Sequence, residues 1–198
     1  MPKRLCVFCG SSMGRRPAYR TAAQEVGRRI AERGWELVYG GGNVGLMGVV
    51  ADACLAAGGR VIGVIPRALA AKEVAHAGLT ELRIVDSMHE RKATMAALSD
   101  AFLALPGGYG TWDELCEVLT WSQLGIQQKP CALLNVEGYY DALLHMADHA
   151  AAEGFVHDAN RMLLLADDDA EKLLDCIQGY WTKAAEPAPQ SLTEPRRP

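Results

Sequence analysis

The sequence of 198 residues predicts a single α/β domain in which helices cover both faces of a doubly wound parallel sheet. Three observations predict this fold class. Short apolar runs alternate along the chain with longer segments of helical periodicity. The short runs are continuously apolar, as strands buried on both faces are. Glycine-rich loops follow two of these runs and open helices, which is typical of right-handed βα units.

The elements follow from these patterns in order. The apolar runs predict seven strands, at 4–9, 35–39, 60–65, 82–85, 101–105, 131–134 and 162–165. The helical segments are predicted at 17–33, 45–57, 88–98, 111–124, 139–152 and 169–181. No internal repeat or domain boundary is visible, so we expect one domain over 1–183. Four of the nine prolines fall in the last twelve residues, and 184–198 is predicted to be a disordered tail.

Composition and charge exclude several classes of protein. Hydrophobic residues make up 49% of the chain and charged residues 22%, which is typical of a globular domain. The net charge of −4, without a basic block, argues against a nucleic-acid partner. No apolar run approaches the ~20 residues that span a bilayer, and the N-terminal run is too short for a signal peptide. We therefore expect no membrane partner and a cytoplasmic location.

The six cysteines do not predict a metal site or a disulfide framework. Cys6 and Cys9 have no second CxxC pair and no neighbouring pair of histidines. They fall in a predicted strand, where an offset of three places them on opposite faces. We expect reduced, packed thiols and no bound metal.

The first glycine-rich loop, 40–48, contains five glycines in nine residues. Its backbone can approach a ligand closely, and the N–H groups at the following helix start favour an anion. The alternative is a tight turn that only packs helix on sheet. The spacing matches a dinucleotide fingerprint, but it follows the second strand. The next strand ends at Ile65 without the ribose-binding carboxylate, which disfavours an NAD-linked oxidoreductase.

The second glycine-rich loop runs from Pro106 to Glu114. Thr111 and Glu114 have the spacing of a capping box at a helix start. Alternatively, Thr111 donates to a phosphate and Glu114 reaches the ribose side of a bound nucleotide. No Gly-Lys-Ser/Thr sequence follows, so nucleoside triphosphate hydrolysis is disfavoured.

Two cations stand between these loops, near the start of the helix predicted at 88–98. Arg91 and Lys92 oppose the helix dipole there, and a bound anion would offset that cost. Arginine is suited to bidentate contact with phosphate or carboxylate. We therefore interpret both side chains as ligand contacts.

Taken together, these motifs resemble the Lonely Guy (LOG) family of cytokinin-activating phosphoribohydrolases, whose members have often been labelled lysine decarboxylases. The resemblance runs from about Leu5 to Leu165 and rests on stretches of sequence at 9–12, 40–48, 87–92, 106–114 and 121–125. It implies a Rossmann-like homodimer that hydrolyses the N-glycosidic bond of a nucleoside 5′-monophosphate. The products would be an adenine-type base and ribose 5-phosphate, with no cofactor.

The resemblance also implies roles for individual residues. Arg91 and Glu114 correspond to the catalytic pair. The expected substrate-binding residues are Gly10, Ser11, Gly41, Gly42, Glu73, Arg91, Lys92, Pro106, Gly107, Gly108, Tyr109, Gly110, Thr111, Trp112 and Thr120. The approach to Glu73 is Ala70-Ala71-Lys72, where the family often has Met-Pro-Arg.

Three other functions are alternatives to this one. Lysine decarboxylation normally needs a Schiff-base lysine, and of the five lysines only Lys92 lies beside a motif. Because Lys92 neighbours Arg91, anion binding explains it better, and decarboxylation is rejected. A non-catalytic nucleotide carrier or sensor could use the same fold and loops. A general AMP salvage hydrolase is the third alternative. The helix at 111–124 is expected to help form the dimer, unless it is simply a core helix of a monomer.

Overall fold

The computed structural model describes residues 1–70 and 75–185, and it confirms the doubly wound α/β fold. Within these residues seven parallel strands form one sheet in the order β4-β3-β2-β1-β5-β6-β7. The strands are β1 Arg4–Phe8, β2 Glu36–Tyr39, β3 Arg60–Pro66, β4 Glu81–Val85, β5 Ala101–Ala104, β6 Cys131–Leu134 and β7 Leu164–Asp167.

Eight α-helices lie in the same described part of the chain. They are α1 Pro17–Glu32, α2 Gly45–Ala56, α3 Arg67–Ala70, α4 Met88–Leu98, α5 Tyr109–Gln123, α6 Asp141–Ala152, α7 Asp158–Arg161 and α8 Ala170–Ala185. The sequence did not predict α3 and α7, because four residues are too few to reveal a helical period. None of the described helices combines the length and apolar character needed to cross a bilayer. The expected cytoplasmic location stays a prediction.

The core lies on both faces of the sheet. Leu5 and Val7 of β1 belong to the cluster that packs against α1, α2 and α8. Cys6 and Phe8 belong to the opposite cluster, which includes side chains of α4 and α5. Cys9 lies on the first face, so the predicted separation of Cys6 and Cys9 is confirmed, and all six thiols are free.

The last strand was placed two residues too early. Residues 162–165 were predicted, whereas Leu164–Asp167 pairs with Cys131–Leu134. Met162 follows α7 as its C-cap and is 76% exposed. This edge strand is only partly covered and has no continuous run of buried residues. The apolar residues that precede it therefore led to a predicted start that is too early.

The C-terminal helix extends beyond its predicted end at 181. Trp181 packs edge-on against Trp35, with ring centroids 4.7 Å apart, and its Nε1 donates to the Asp100 carbonyl at 3.0 Å. These contacts tie α8 to the domain at Trp181, and the helix continues to Ala185, two residues into the segment predicted to be a disordered tail. The remainder of the predicted tail, 186–198, lies outside the described residues.

The order of strands determines where a ligand can bind. β1 pairs with β2 on one side and with β5 on the other, so the direction of winding reverses between β1 and β5. The loops after these two strands diverge at their carboxyl ends and leave a crevice. The residues that follow Phe8 and Ala104 therefore build the site.

Candidate active site

A cavity of about 190 Å³ opens at this crevice. Its lining comes from the loops after β1 and β5 and from the starts of α2, α4 and α5: Cys9, Gly10, Ser11, Met47, Arg91, Gly108, Tyr109, Gly110, Thr111 and Glu114. Both predicted catalytic residues and six of the predicted binding residues therefore meet here. An adjoining hollow of about 220 Å³ shares Gly10, Ser11 and Gly108 and is also lined by Pro106 and Gly107.

Helix α5 begins two residues earlier than the sequence predicts. Gly108 is its N-cap, with no side-chain hydrogen bond to the first turn. Thr111 is therefore the third residue of the helix and Glu114 lies in the second turn, so the capping box was wrong. The first amides of a helix have no carbonyl partner within it, and they carry its positive dipole end. Here these amides border the cavity.

The loop that precedes α5 is held from both sides. The amide of Gly10 donates to the Pro106 carbonyl at 3.1 Å. The hydroxyl of Tyr139 donates to the carbonyl of Gly107, and that of Tyr140 donates to the Leu105 carbonyl at 2.7 Å. These contacts preorganise the loop before any ligand binds. Neither tyrosine was predicted from the sequence, because nothing in their spacing from the loop indicates contact with it.

Arg91 is buried, with only 6% of its surface exposed, and it is fixed by main-chain oxygens. Its Nε donates to the Val64 carbonyl at 3.1 Å and its Nη2 to the Gly40 carbonyl at 2.8 Å. Ser87 caps α4 by accepting from the Glu90 amide at 3.1 Å, which fixes the start of the helix that carries Arg91. The Arg91 Nη1 also donates to Met88 Sδ at 3.8 Å. A guanidinium has five N–H donors, so these three bonds leave two donors for a ligand in the cavity.

The first glycine-rich loop packs against Arg91 and against the backbone of Ser11. A Cβ atom on Gly40 would overlap the Arg91 guanidinium, and one on Gly45, whose φ is +57°, would overlap the Ser11 backbone. The amide of Leu46 is already used by the Gly10 carbonyl at 3.0 Å. Gly41 and Gly42 are buried and are not among the residues that line the cavity. Close packing thus accounts for Gly40 and Gly45, and the binding roles of Gly41 and Gly42 stay predictions.

Two lining residues, Cys9 and Met47, were not predicted. Cys9 follows β1 directly at the switch point, and that position was the available signal. Burial raises the pKa of the Cys9 thiol well above its usual value. The negative charge of Glu114 raises this pKa further, and Arg91 partly offsets that effect. Cys9 is therefore a neutral wall of the cavity, and Glu114 and Arg91 both act on it electrostatically.

Lys92 is not among the residues that line the cavity. Its Nζ lies 3.0 Å from Asp113 Oδ2 and 3.1 Å from Glu117 Oε1, both on α5. Partial burial lowers the pKa of Lys92, but the hydrogen bonds to the two carboxylates outweigh it and leave this pKa raised. Two carboxylates therefore compensate the charge of Lys92 without a bound anion, whereas the hydrogen bonds of Arg91 to Val64 and Gly40 go to uncharged carbonyl oxygens.

The remaining predicted binding residues lie outside the cavity lining or outside the described chain. Trp112 is exposed and packs edge-on against Tyr109, with ring centroids 5.3 Å apart. Thr120 is exposed on the last turns of α5 and its hydroxyl donates to the Cys116 carbonyl at 2.7 Å. Glu73 lies outside the described residues. Roles for these three residues stay predictions.

Comparison with known proteins identifies the family. A family model described as "Possible lysine decarboxylase" matches residues 47–177. A probable cytokinin riboside 5′-monophosphate phosphoribohydrolase of rice, Oryza sativa subsp. japonica, is 51% identical over 96% of this chain and 86% of its own length. The chain belongs to the Lonely Guy family. Another Lonely Guy phosphoribohydrolase, from Arabidopsis thaliana, is 49% identical over 90% of this chain and 82% of its own length.

The Lonely Guy chain also has structural neighbours outside its close relatives. The molybdenum cofactor binding protein of the phototrophic bacterium Rippkaea orientalis superposes with a TM-score of 0.70. It covers 91% of this chain and 98% of its own, at 22% identity. At that identity the likeness shows the fold alone, and the Rossmann-like prediction is confirmed.

The description of the family model as a lysine decarboxylase does not match the cavity. Among the described residues no lysine lines it, and the Nζ of Lys92 is held by two carboxylates. Such a decarboxylase normally relies on a Schiff-base lysine beside its substrate. The chain is a hydrolase by family, as its relatives' names state.

Proposed function

We propose that this protein hydrolyses the N-glycosidic bond of adenosine 5′-monophosphates, including those modified at N6, and releases the free base and ribose 5-phosphate. One observation carries the proposal. Arg91 and Glu114 line one cavity, at the switch point of the sheet, beside the uncapped start of α5. The phosphoribohydrolase names of the relatives support the same reaction.

The phosphate is the main handle on the substrate in this proposal. The first-turn amides of α5, at Tyr109, Gly110 and Thr111, are donors suited to an anion. Hydrogen bonds to a charged group contribute roughly 1.5–3 kcal/mol each, so three of them outweigh any single contact to the base. A nucleoside without the 5′-phosphate should therefore be a poor substrate.

Glu114 and Arg91 divide the chemistry between them. When the bond from C1′ to the base breaks, its electron pair leaves with the base and C1′ becomes oxocarbenium-like. The Glu114 carboxylate stabilises that cation and accepts a proton from the water whose oxygen bonds to C1′. Arg91 fixes the nucleotide through its remaining donors, and it offsets negative charge on the departing base. The proton held by Glu114 then passes to the base, directly or through solvent, so that the neutral base is released and the carboxylate is restored.

We further propose that the protein is a homodimer in which α5 lies at the interface. Leu124 and Ile126, at the end of α5, are 64% and 67% exposed, and the Trp121 side chain is half-buried beside them. Burial of such side chains against a second copy would be favourable. Sedimentation of the wild type and of Leu124→Asp tests this: a wild-type dimer and a monomeric variant are expected, and a wild-type monomer would contradict it.

Chromatographic measurement of base release tests the proposed activity. AMP and N6-isopentenyl-AMP would be incubated with wild type, Arg91→Ala and Glu114→Ala, and base and ribose 5-phosphate would be quantified. Equal amounts of the two products from wild type, and loss of release in both variants, are expected. The ratio of the rates of base release from N6-isopentenyl-AMP and from AMP separates cytokinin activation from general AMP salvage. Tight binding of both nucleotides by wild type without release would refute hydrolysis and favour a carrier.

A further inference from the structure

An ion-pair cluster joins α4 to α5 next to the candidate active site. It consists of Lys92, Asp113 and Glu117, which we call the lysine clamp. The Nζ of Lys92 lies within 3.1 Å of a carboxylate oxygen of each acidic residue, and the lysine side chain is only 12% exposed. The Glu117 side chain is 25% exposed and that of Asp113 is 60% exposed, so the ion pair to Glu117 is the less screened of the two.

The clamp lies one residue from each proposed catalytic group. Lys92 follows Arg91 on α4, and Asp113 precedes Glu114 on α5. Successive side chains of a helix point about 100° apart. Arg91 can therefore contact the sheet carbonyls and line the cavity, while Lys92 reaches across to α5.

The charges of the clamp explain why a cation is needed at this position. Asp113 and Glu117 are four residues apart on α5, where like charges repel. Glu114 adds a third carboxylate to the same turns of the helix. A single ammonium group between the helices offsets this repulsion and draws α5 towards α4.

We propose that Lys92 is a positioning residue, which sets the separation of Arg91 and Glu114 by tying the two helices together. The inference rests on the proposed hydrolysis and deepens it, because it changes the role that the family resemblance implies for Lys92. The catalytic groups come from separate helices, and a misplacement of about 1 Å can lower a rate roughly 100-fold. A fixed contact one residue from each group controls that distance.

Direct phosphate binding by Lys92 fits the geometry less well. Two of the three ammonium donors are used by the carboxylates, and Lys92 is not among the residues that line the cavity. A phosphate contact would have to come from the one remaining donor, on a side chain that does not line the cavity.

Steady-state kinetics and product inhibition test the clamp. Lys92→Met, Lys92→Arg and the double variant Asp113→Asn/Glu117→Gln would be compared with wild type for base release from AMP. The control is Lys172→Met, because Lys172 is an exposed lysine on α8 with an ion pair to Asp169 at 3.8 Å. Inhibition by ribose 5-phosphate reports phosphate binding separately, and thermal unfolding reports loss of structure.

The clamp predicts a fall in kcat without a matching change in binding. Lys92→Met and the acidic double variant should each lower kcat by roughly 10- to 100-fold, whereas KM and the inhibition constant of ribose 5-phosphate change by less than about threefold. A variant with all three substitutions should lose little more kcat than either variant alone, because the effects of substitutions at residues in one contact are not additive. Lys92→Arg should recover most of kcat, and Lys172→Met should match wild type.

The contrary outcomes are distinct. A rise of about tenfold or more in KM and in the inhibition constant for Lys92→Met, with the acidic double variant unaffected, would assign Lys92 to the phosphate instead. An unchanged kcat in a less stable Lys92→Met would make the cluster merely structural. Wild type that releases no base would overturn both the hydrolysis and the clamp, whereas release by wild type with unchanged kcat in Lys92→Met overturns the clamp alone.

Discussion

Replacing Gly110 with alanine should make the protein more stable and less active. Gly110 is the second residue of α5, and a Cβ atom built there meets nothing within 4 Å. Alanine in a helix is more favourable than glycine by roughly 0.5–1 kcal/mol. For a domain of this size that gain raises Tm by about 1–4 °C.

The loss of activity follows from where the new methyl group would lie. Gly110 lines the cavity, and its amide is one of the donors proposed for the phosphate. A methyl group there restricts the approach of the phosphate to these amides. Loss of one charge-assisted hydrogen bond costs roughly 1.5–3 kcal/mol, which corresponds to about a 10- to 150-fold fall in kcat/KM.

The assay pairs calorimetry with base release from AMP. Gly179→Ala is the matched control. Gly179 also lies within a helix, α8, and nothing lies within 4 Å of its Cβ position. It is not among the residues that line the cavity. The control should gain stability and keep full activity. A Gly110→Ala protein with raised Tm and unchanged kcat/KM would refute the proposal that these amides hold the phosphate.

Three further predictions follow from buried groups. Gly107→Ala, whose new Cβ would overlap the Thr111 side chain, should lower the free energy of unfolding by about 1–3 kcal/mol in urea titrations, and an unchanged midpoint would contradict the close packing. The buried hydroxyl of Tyr39 has no hydrogen-bond partner among the described residues, so Tyr39→Phe should raise that free energy by about 1–3 kcal/mol; a loss would reveal a missed partner. Burial raises the pKa of Cys54 to about 11, so at pH 8 its thiol is protonated, and iodoacetamide should alkylate exposed Cys176 first. Equal rates by peptide mass spectrometry would contradict that protection.

The fold was predictable because its determinants are local and repeated. The strand at 131–134 is continuously apolar and lies between a proline and an asparagine, and its limits were predicted without error. The limits of the first five strands were predicted to within one residue. The edge strand β7 was misplaced because burial on a single side leaves a weaker pattern than the apolar residues before it. Helix α5 was started too late because Thr111 is a good cap by residue type, whereas the main-chain path of Gly108 provides the cap instead.

The site was predictable in its membership but not in its geometry. The family resemblance predicts that Arg91 and Glu114 share a site, and both line one cavity. Each lies in the first two turns of a helix that follows a strand. Charge alone misassigned the environment of Lys92, because its carboxylate partners lie 21 and 25 residues further along the chain. The support that Gly40 gives to Arg91 is likewise a contact between distant segments, 51 residues apart.

The measurement that tests the central claim most directly is single-turnover base release from AMP by Glu114→Gln, with enzyme in excess of nucleotide. Glutamine keeps the size of the side chain and removes only its charge and basicity. Because the phosphate contacts are untouched, AMP should bind within about threefold of wild type, while base release slows by roughly 100- to 10,000-fold. Release at the wild-type rate by enzyme saturated with AMP would contradict the role of Glu114 and, with it, the proposed mechanism.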